Sequence, residues 1–175
     1  MTAHPRKSEL VDKTRAILAF RFLSPVETAD LLRVSEVLEF EEGEPVVEEG
    51  ELSPWFYGII EGTVGVNVKE PEGGQVYVNS LGSGEVFGEA GIFQHVHRTA
   101  TVVALEKATI LRIHRREFAA FLERNAVSGN KVLLVIIFSL LRKLRQVNRE
   151  LAYERKSDLG QDDVDAMIEG LFGET

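Results

Sequence analysis

Apolar positions along this chain keep two different periods, and the change between them outlines its architecture. Near the start, Leu10, Val11, Ala16, Ile17 and Phe20 recur at near-helical spacing, which predicts a helix over Ser8–Phe20 with Ser8 as its cap. Ser24-Pro25-Val26-Glu27 is a sharper signal: a capping box with proline at the first helical position. The Ser24 hydroxyl would accept the amide of Glu27, and the Glu27 carboxylate would accept the amide of Ser24. A short helix from Pro25 to Arg33 is expected.

From there the period falls to two. Short apolar runs stand between glycine, proline and acidic turns at Val37–Phe40, Pro45–Val47, Trp55–Ile60, Val64–Val68, Gln75–Leu81, Thr99–Leu105 and Ala108–His114. Val64, Val66 and Val68 alternate with Gly65 and Asn67 in the pattern of a half-buried strand. Glu70-Pro71-Glu72-Gly73-Gly74 is a hairpin turn, because its two glycines can take positive φ. Many short strands at regular spacing predict a sandwich or small barrel, here a jelly roll.

Helical spacing returns at Arg115–Glu123, where Phe118, Phe121 and Leu122 share a side. The longest helix follows, with Ser128 as its expected cap. Val132, Leu133, Ile136, Ile137, Leu140, Leu141, Leu144, Val147 and Leu151 keep one stripe on it. Beyond Ser139 its other faces turn basic, with Arg142, Lys143, Arg145 and Arg149. So long a stripe suits two partners, its own β-domain first and a second copy of the helix further on. Packing of the whole stripe within one chain is the alternative. Lys156–Gly160 is expected to end the helix, and Asp162–Phe172 to form a short amphipathic segment with acids at its start. The predicted fold is mainly β with flanking helices: an N-terminal helix in 1–20, a β-roll in 21–125, a long helix in 126–156 and an acidic tail in 157–175.

Composition narrows the function. A chain of 175 residues can bury a substantial core. Its formal charge of −8 opposes a chain-wide attraction to nucleic acid or anionic lipid. Without cysteine it has neither disulfides nor thiolate metal sites. The N-terminus lacks the apolar core of a signal peptide, and the greasiest run, Val132–Leu141, is about half of the roughly 20 residues needed to span a bilayer. A cytoplasmic protein without a membrane partner is expected.

Candidate chemistry gathers in Phe87–Thr101. Gly88-Glu89 can turn into a helix of about one turn, whose first amides lack internal acceptors and favour an anion. Gly88 and Gly91 permit close approach of the backbone. Arg98 lies at the mouth of the next strand, where its fork can match phosphate oxygens. The Glu89 carboxylate is an acceptor and suits a pair of hydroxyls. Together they describe a sugar-phosphate site, although a Glu–Arg pair at this spacing near a turn is more usually a structural ion pair.

Phe87-Gly88-Glu89-Ala90-Gly91-Ile92-Phe93 followed by Arg98-Thr99-Ala100-Thr101 resembles the phosphate-binding cassette of the cyclic nucleotide-binding domain family. Leu23-Ser24-Pro25, Gly43-Glu44-Pro45-Val46-Val47, Glu49-Gly50, Tyr57–Gly62 and Gly84 stand in the family's order, so the resemblance extends from about Phe20 to Arg149. It implies that Glu89 holds the ribose 2′-hydroxyl and Arg98 the cyclic phosphate. It further implies help from the amides of Gly88, Glu89, Ala90 and Gly91, and from Thr99 and Ala100 around phosphate and base. The long helix would close over the base with its face near Ile136–Leu144. His97 departs from the family's frequent proline. Thr99 permits cGMP without demanding it, and cAMP is the first choice.

The resemblance thus implies a receptor rather than an enzyme, with a cyclic nucleotide as ligand, no cofactor, and a homodimer or protein partner reached through the long helix. The family's bacterial transcription factors carry a helix-turn-helix domain after that helix. Lys156–Thr175 is acidic and short, so DNA binding through a recognition helix is not expected. Two other readings compete. His95 and His97 with Glu89 suggest a cupin-like metal enzyme, although they fall in the cassette loop. A scaffold that kept the fold and lost its ligand is the other, opposed by the presence of both Glu89 and Arg98. Trp55 is expected in the core or at its rim, while His4 and His114 have no special context.

Overall fold

The computed structural model describes residues 7–70, 72–93 and 97–172, with side chains described over 10–70, 72–93 and 97–153. Helix α1 (Lys7–Ala16) leads through a 3-10 turn (Leu18–Phe20) into α2 (Pro25–Arg33). Among the described residues eight strands follow: β1 (Ser35–Phe40), β2 (Pro45–Val47), β3 (Trp55–Glu61), β4 (Val64–Lys69), β5 (Gln75–Leu81), β6 (Val86–Phe87), β7 (Thr101–Ala104) and β8 (Ala108–His114). A one-turn helix, α3 (Ala90–Phe93), lies between β6 and β7, and α4 (Arg115–Arg124) and α5 (Ala126–Phe172) close the order.

The strands form two four-stranded antiparallel sheets, β1-β8-β3-β6 and β2-β7-β4-β5, in a jelly-roll-like arrangement. Their inner faces meet in a core of Val47, Tyr57, Ile59, Val64, Leu81, Phe87, Val102, Ala104, Ala108 and Ile110. Burying each of its valine, leucine, isoleucine and phenylalanine side chains contributes about 1.5–3 kcal/mol relative to leaving it exposed. Strand β3 is buried on both faces because its alternate residues serve different layers. Tyr57 faces the inter-sheet core and stacks on Phe87 at 4.7 Å, whereas Phe56 meets Phe20 and Phe118 from the helices at 6.2 and 5.5 Å. Gly58 lies on that helical side, and a Cβ there would come within 2.9 Å of the Ile17 side chain.

That contact explains why the first helix is shorter than Ser8–Phe20. Ile17 leaves the helix with an extended backbone (φ −64°, ψ 124°) and is fully buried, and the amide of Leu18 donates to the Gly84 carbonyl at 2.8 Å. Helix α2 forms as predicted, with both arms of the capping box present: Ser24 N to Glu27 Oε2 at 2.8 Å and Glu27 N to Ser24 Oγ at 3.3 Å. The Glu70–Gly74 turn also forms, with Gly73 and Gly74 at φ 89° and 135°. Strand β6 is a further element, two residues long and too short to show a period in sequence. The run predicted over Thr99–Leu105 narrows to Thr101–Ala104.

Two boundaries differ from expectation. Helix α4 and helix α5 are separated by Asn125 alone, so Ser128 sits inside the first turn of α5 rather than capping it. Gly129 permits the close passage, since a Cβ there would lie 3.0 Å from the Leu122 carbonyl oxygen. Helix α5 does not end at Lys156–Gly160 but continues to Phe172. That stretch has one glycine and no proline, and an interior glycine costs a helix only about 1 kcal/mol. The chain divides into two compact units, one through Val135 and one from Ile136.

Candidate functional site

Beyond β6, a turn at Gly88 (φ 74°) brings the chain into α3, with Glu89 at the junction. Glu89 is buried, 7% exposed, in the first unit. Within the turn, the amides of Gly91 and Ile92 donate to the carbonyls of Gly88 and Glu89 at 3.0 and 3.1 Å. The Gly91 amide, expected to face an anion, is therefore engaged inside the turn. Phe87 belongs to the core through its side chain, stacked on Tyr57, and supports the turn from below. Ala90 is exposed and Gly91 buried.

Arg98 reaches this turn from a segment secured by backbone pairing, not from the strand end that the sequence suggested. It precedes β7, its amide donates to the Glu51 carbonyl, and its carbonyl accepts from Gly50, both at 2.8 Å. Leu52 and His97 form an isolated bridge alongside, and the His97 ring Nδ1 lies 2.8 Å from the Gly50 carbonyl oxygen. The next turn of the strap is held by Thr101, whose Oγ1 accepts from the amide of Glu49 at 3.1 Å.

The Arg98 guanidinium is fixed by three acceptors. Nη1 donates to the Gly88 carbonyl at 3.3 Å, and Nη2 donates to Ser53 Oγ at 3.1 Å and to the Trp55 carbonyl at 2.5 Å. The group lies 5.5 Å from the centroid of the Tyr57 ring, within cation–π range. Its Nε is buried without a protein partner. The glycines of the cassette make room for it: a Cβ on Gly88 would meet Nη1 at 2.7 Å, and one on Gly91 would meet Nη1 and Nη2 at 3.3 and 3.4 Å. The close approach that these glycines permit is thus made by the arginine itself.

Gly88, Glu89, Gly91 and Arg98 are therefore brought together around one turn. Thr99 is exposed and Ala100 half-buried in the bend that follows Arg98. Ser53, Tyr57 and the Trp55 carbonyl escaped the sequence reading, because Ser53 is separated from Arg98 by 45 positions and no local pattern marks it. Trp55 is half-buried, edge-on to His114 at 5.2 Å, with the Arg112 guanidinium 4.3 Å from its ring centroid. His114 has acquired a role as the N-cap of α4, its Nδ1 accepting the Arg116 amide at 3.2 Å. His4 and His95 lie outside the described residues. Among the described residues there is no group of three side chains suited to holding a metal ion, and no helix is long and apolar enough to cross a membrane.

The family described as Cyclic nucleotide-binding domain matches residues 37–125, from β1 through the cassette and α4. A cAMP-dependent protein kinase regulatory subunit from Mucor circinelloides f. lusitanicus is 32% identical over 130 residues, 69% of this chain and 30% of that protein. A CRP-like cAMP-activated global transcriptional regulator from Mycobacterium tuberculosis is 26% identical over 133 residues, 76% of this chain and 58% of that protein. Among solved structures, the Thermus thermophilus catabolite activator protein superposes with a TM-score of 0.66 at 27% identity, over 76% of this chain and 61% of that one. The chain thus spans between about a third and three-fifths of the length of these curated relatives.

Proposed function

The chain belongs to the cyclic nucleotide-binding domain family, and from that premise we propose that it is a regulatory receptor for cAMP. The observation that carries the reading is the Arg98 guanidinium, held in place beside the Gly88-Glu89 turn with its Nε unpartnered. A cyclic phosphate meeting Arg98 would satisfy that donor with a charge-assisted hydrogen bond. The buried Glu89 carboxylate would accept the ribose 2′-hydroxyl. Ala90, Thr99 and Ala100 would line the phosphate and base, and the Thr99 hydroxyl leaves cGMP as a second ligand. The relatives named for cAMP support the choice of nucleotide.

Output would pass through α5. Ile137, Leu140, Leu144, Val147 and Leu151 recur at alternating steps of three and four, and each is at least 40% exposed. That is the spacing of a coiled-coil seam, and it supports pairing with a second copy. In this reading nucleotide binding draws α5 toward the base near Ile136–Leu144, and the changed population of helix positions signals to a protein partner.

Calorimetric titration of cAMP and cGMP into the wild type and Arg98→Ala tests the reading. Saturable binding by the wild type and a loss of at least about 30-fold in Arg98→Ala are expected, the usual scale for truncating one partner of a buried charge pair. Equal binding by the two proteins would remove Arg98 from the site. Mass spectrometry of co-purifying small molecules would identify the nucleotide directly.

A further inference from the structure

We propose that Ser53 is the positioning residue of the anion site, holding the Arg98 guanidinium in the orientation from which it meets phosphate. The proposal rests on the cyclic-nucleotide reading above and adds a residue to it. Of the three acceptors on Arg98, two are main-chain carbonyls, of Gly88 and Trp55, and the third is the Ser53 hydroxyl. Ser53 is therefore the anchor that sequence change can remove without moving the backbone. It is 5% exposed, so its hydroxyl has little water to compete for the guanidinium.

The surroundings are shaped for this contact. A Cβ on Gly91 would lie 3.0 Å from the Ser53 carbonyl oxygen and within 3.4 Å of both terminal nitrogens of Arg98. The absence of a side chain at Gly91 is what lets the Ser53 loop and the guanidinium meet under α3. The backbone pairing of Gly50 and Glu51 with Arg98 brings the same loop to the same residue. Both Nη2 contacts lie on one nitrogen, so they fix the plane of the fork. An arginine fixed in this way loses less rotamer freedom when an anion arrives than one free to turn. Without the hydroxyl, two carbonyls would still accept from Arg98, but Nη2 would keep one partner instead of two.

A double-mutant cycle on the full chain tests this. cAMP is titrated into the wild type, Ser53→Ala, Arg98→Lys and the double variant. Because lysine keeps the charge and lacks the fork, Ser53→Ala should raise Kd about 3- to 10-fold in the wild type and less than about 2-fold in the Arg98→Lys background. An unchanged Kd in Ser53→Ala, or the same loss in both backgrounds, would overturn the proposal. A second measurement does not depend on nucleotide. The side-chain 15N signal of the Arg98 Nε–H, assigned by its absence in Arg98→Lys, should report a rigid group in the wild type and a mobile one in Ser53→Ala. An equally rigid group in Ser53→Ala sinks the positioning role. Failure of the wild type to bind either nucleotide would refute the receptor reading, and the nitrogen signal alone would then decide whether Ser53 holds Arg98.

Discussion

At the scale of single residues, Gly88 and Gly43 separate two uses of the same conformation. Both have positive φ, 74° and 85°, but a Cβ on Gly43 would meet nothing within 4 Å, whereas one on Gly88 would meet Arg98 Nη1, the Trp55 carbonyl oxygen and the Tyr57 ring at 2.7, 3.0 and 3.1 Å. Gly43→Ala should therefore cost about 1 kcal/mol of backbone strain and leave nucleotide affinity unchanged. Gly88→Ala carries a similar backbone strain and also displaces the guanidinium, so both melting temperature and affinity should fall. Thermal melts of the two variants combined with cAMP titration check this; preserved affinity in Gly88→Ala would show that Arg98 does not depend on the nest. Spacing alone allowed Glu89 and Arg98 to be a structural pair. The three anchors on Arg98 are carbonyls and a hydroxyl, which assigns the guanidinium a nest of its own.

At the scale of elements, Glu27 of the α2 capping box makes a pH-dependent contribution. The Glu27 carboxyl is held below its ordinary range, first by the Ser128 hydroxyl, then by the Ser24 amide and hydroxyl, with Lys131 adding a smaller charge effect. Ser128, expected to cap its own helix, lies instead within the first turn of α5, close enough to the start of α2 to bear on the Glu27 carboxyl. Ser24→Ala should cost about 1 kcal/mol, a shift of roughly 2–4 °C in Tm for a chain of this size. Because the folded-state value is depressed, the contribution of Glu27 is fully present above the unfolded glutamate range and fades as pH falls through the folded value. Glu27→Gln should accordingly narrow the stability gap to wild type as the buffer moves from neutral toward the acid limb. Denaturant midpoints across that pH range measure it, and a gap that stays constant with pH would exclude the ionised carboxylate as the source.

At the scale of the whole molecule, the second unit leaves a long apolar seam on α5 exposed from Ile137 to Leu151. Exposed contiguous apolar surface of this kind marks an interaction site. Light scattering at micromolar concentration should give the mass of a dimer, and Leu144→Lys, at the centre of the seam, should shift it to the monomer while leaving the first unit folded. A monomeric wild type would remove self-association from the proposed output. The continuous helix to Phe172 also changes the view of the C-terminal segment, which continues α5 instead of forming a separate short element.

Local chemistry by itself determined much of this protein. The capping box placed α2, the glycine pair placed the Glu70–Gly74 turn, and the alternation of apolar residues placed most of the strands, because each of these depends on contacts a few residues apart. The Phe-Gly-Glu and Arg motif pointed to a candidate site through its resemblance to the family's cassette, since spacing alone fitted a structural ion pair. What only the tertiary structure decided depends on residues distant in sequence. The end of α1 at Ala16 follows from Ile17 filling the space at Gly58. The two-residue strand β6 exists because β3 offers it an edge. The direction of the Arg98 fork is set by Ser53 and Trp55, 45 and 43 positions away, and a sequence pattern carries no record of which distant hydroxyl or carbonyl a guanidinium will meet.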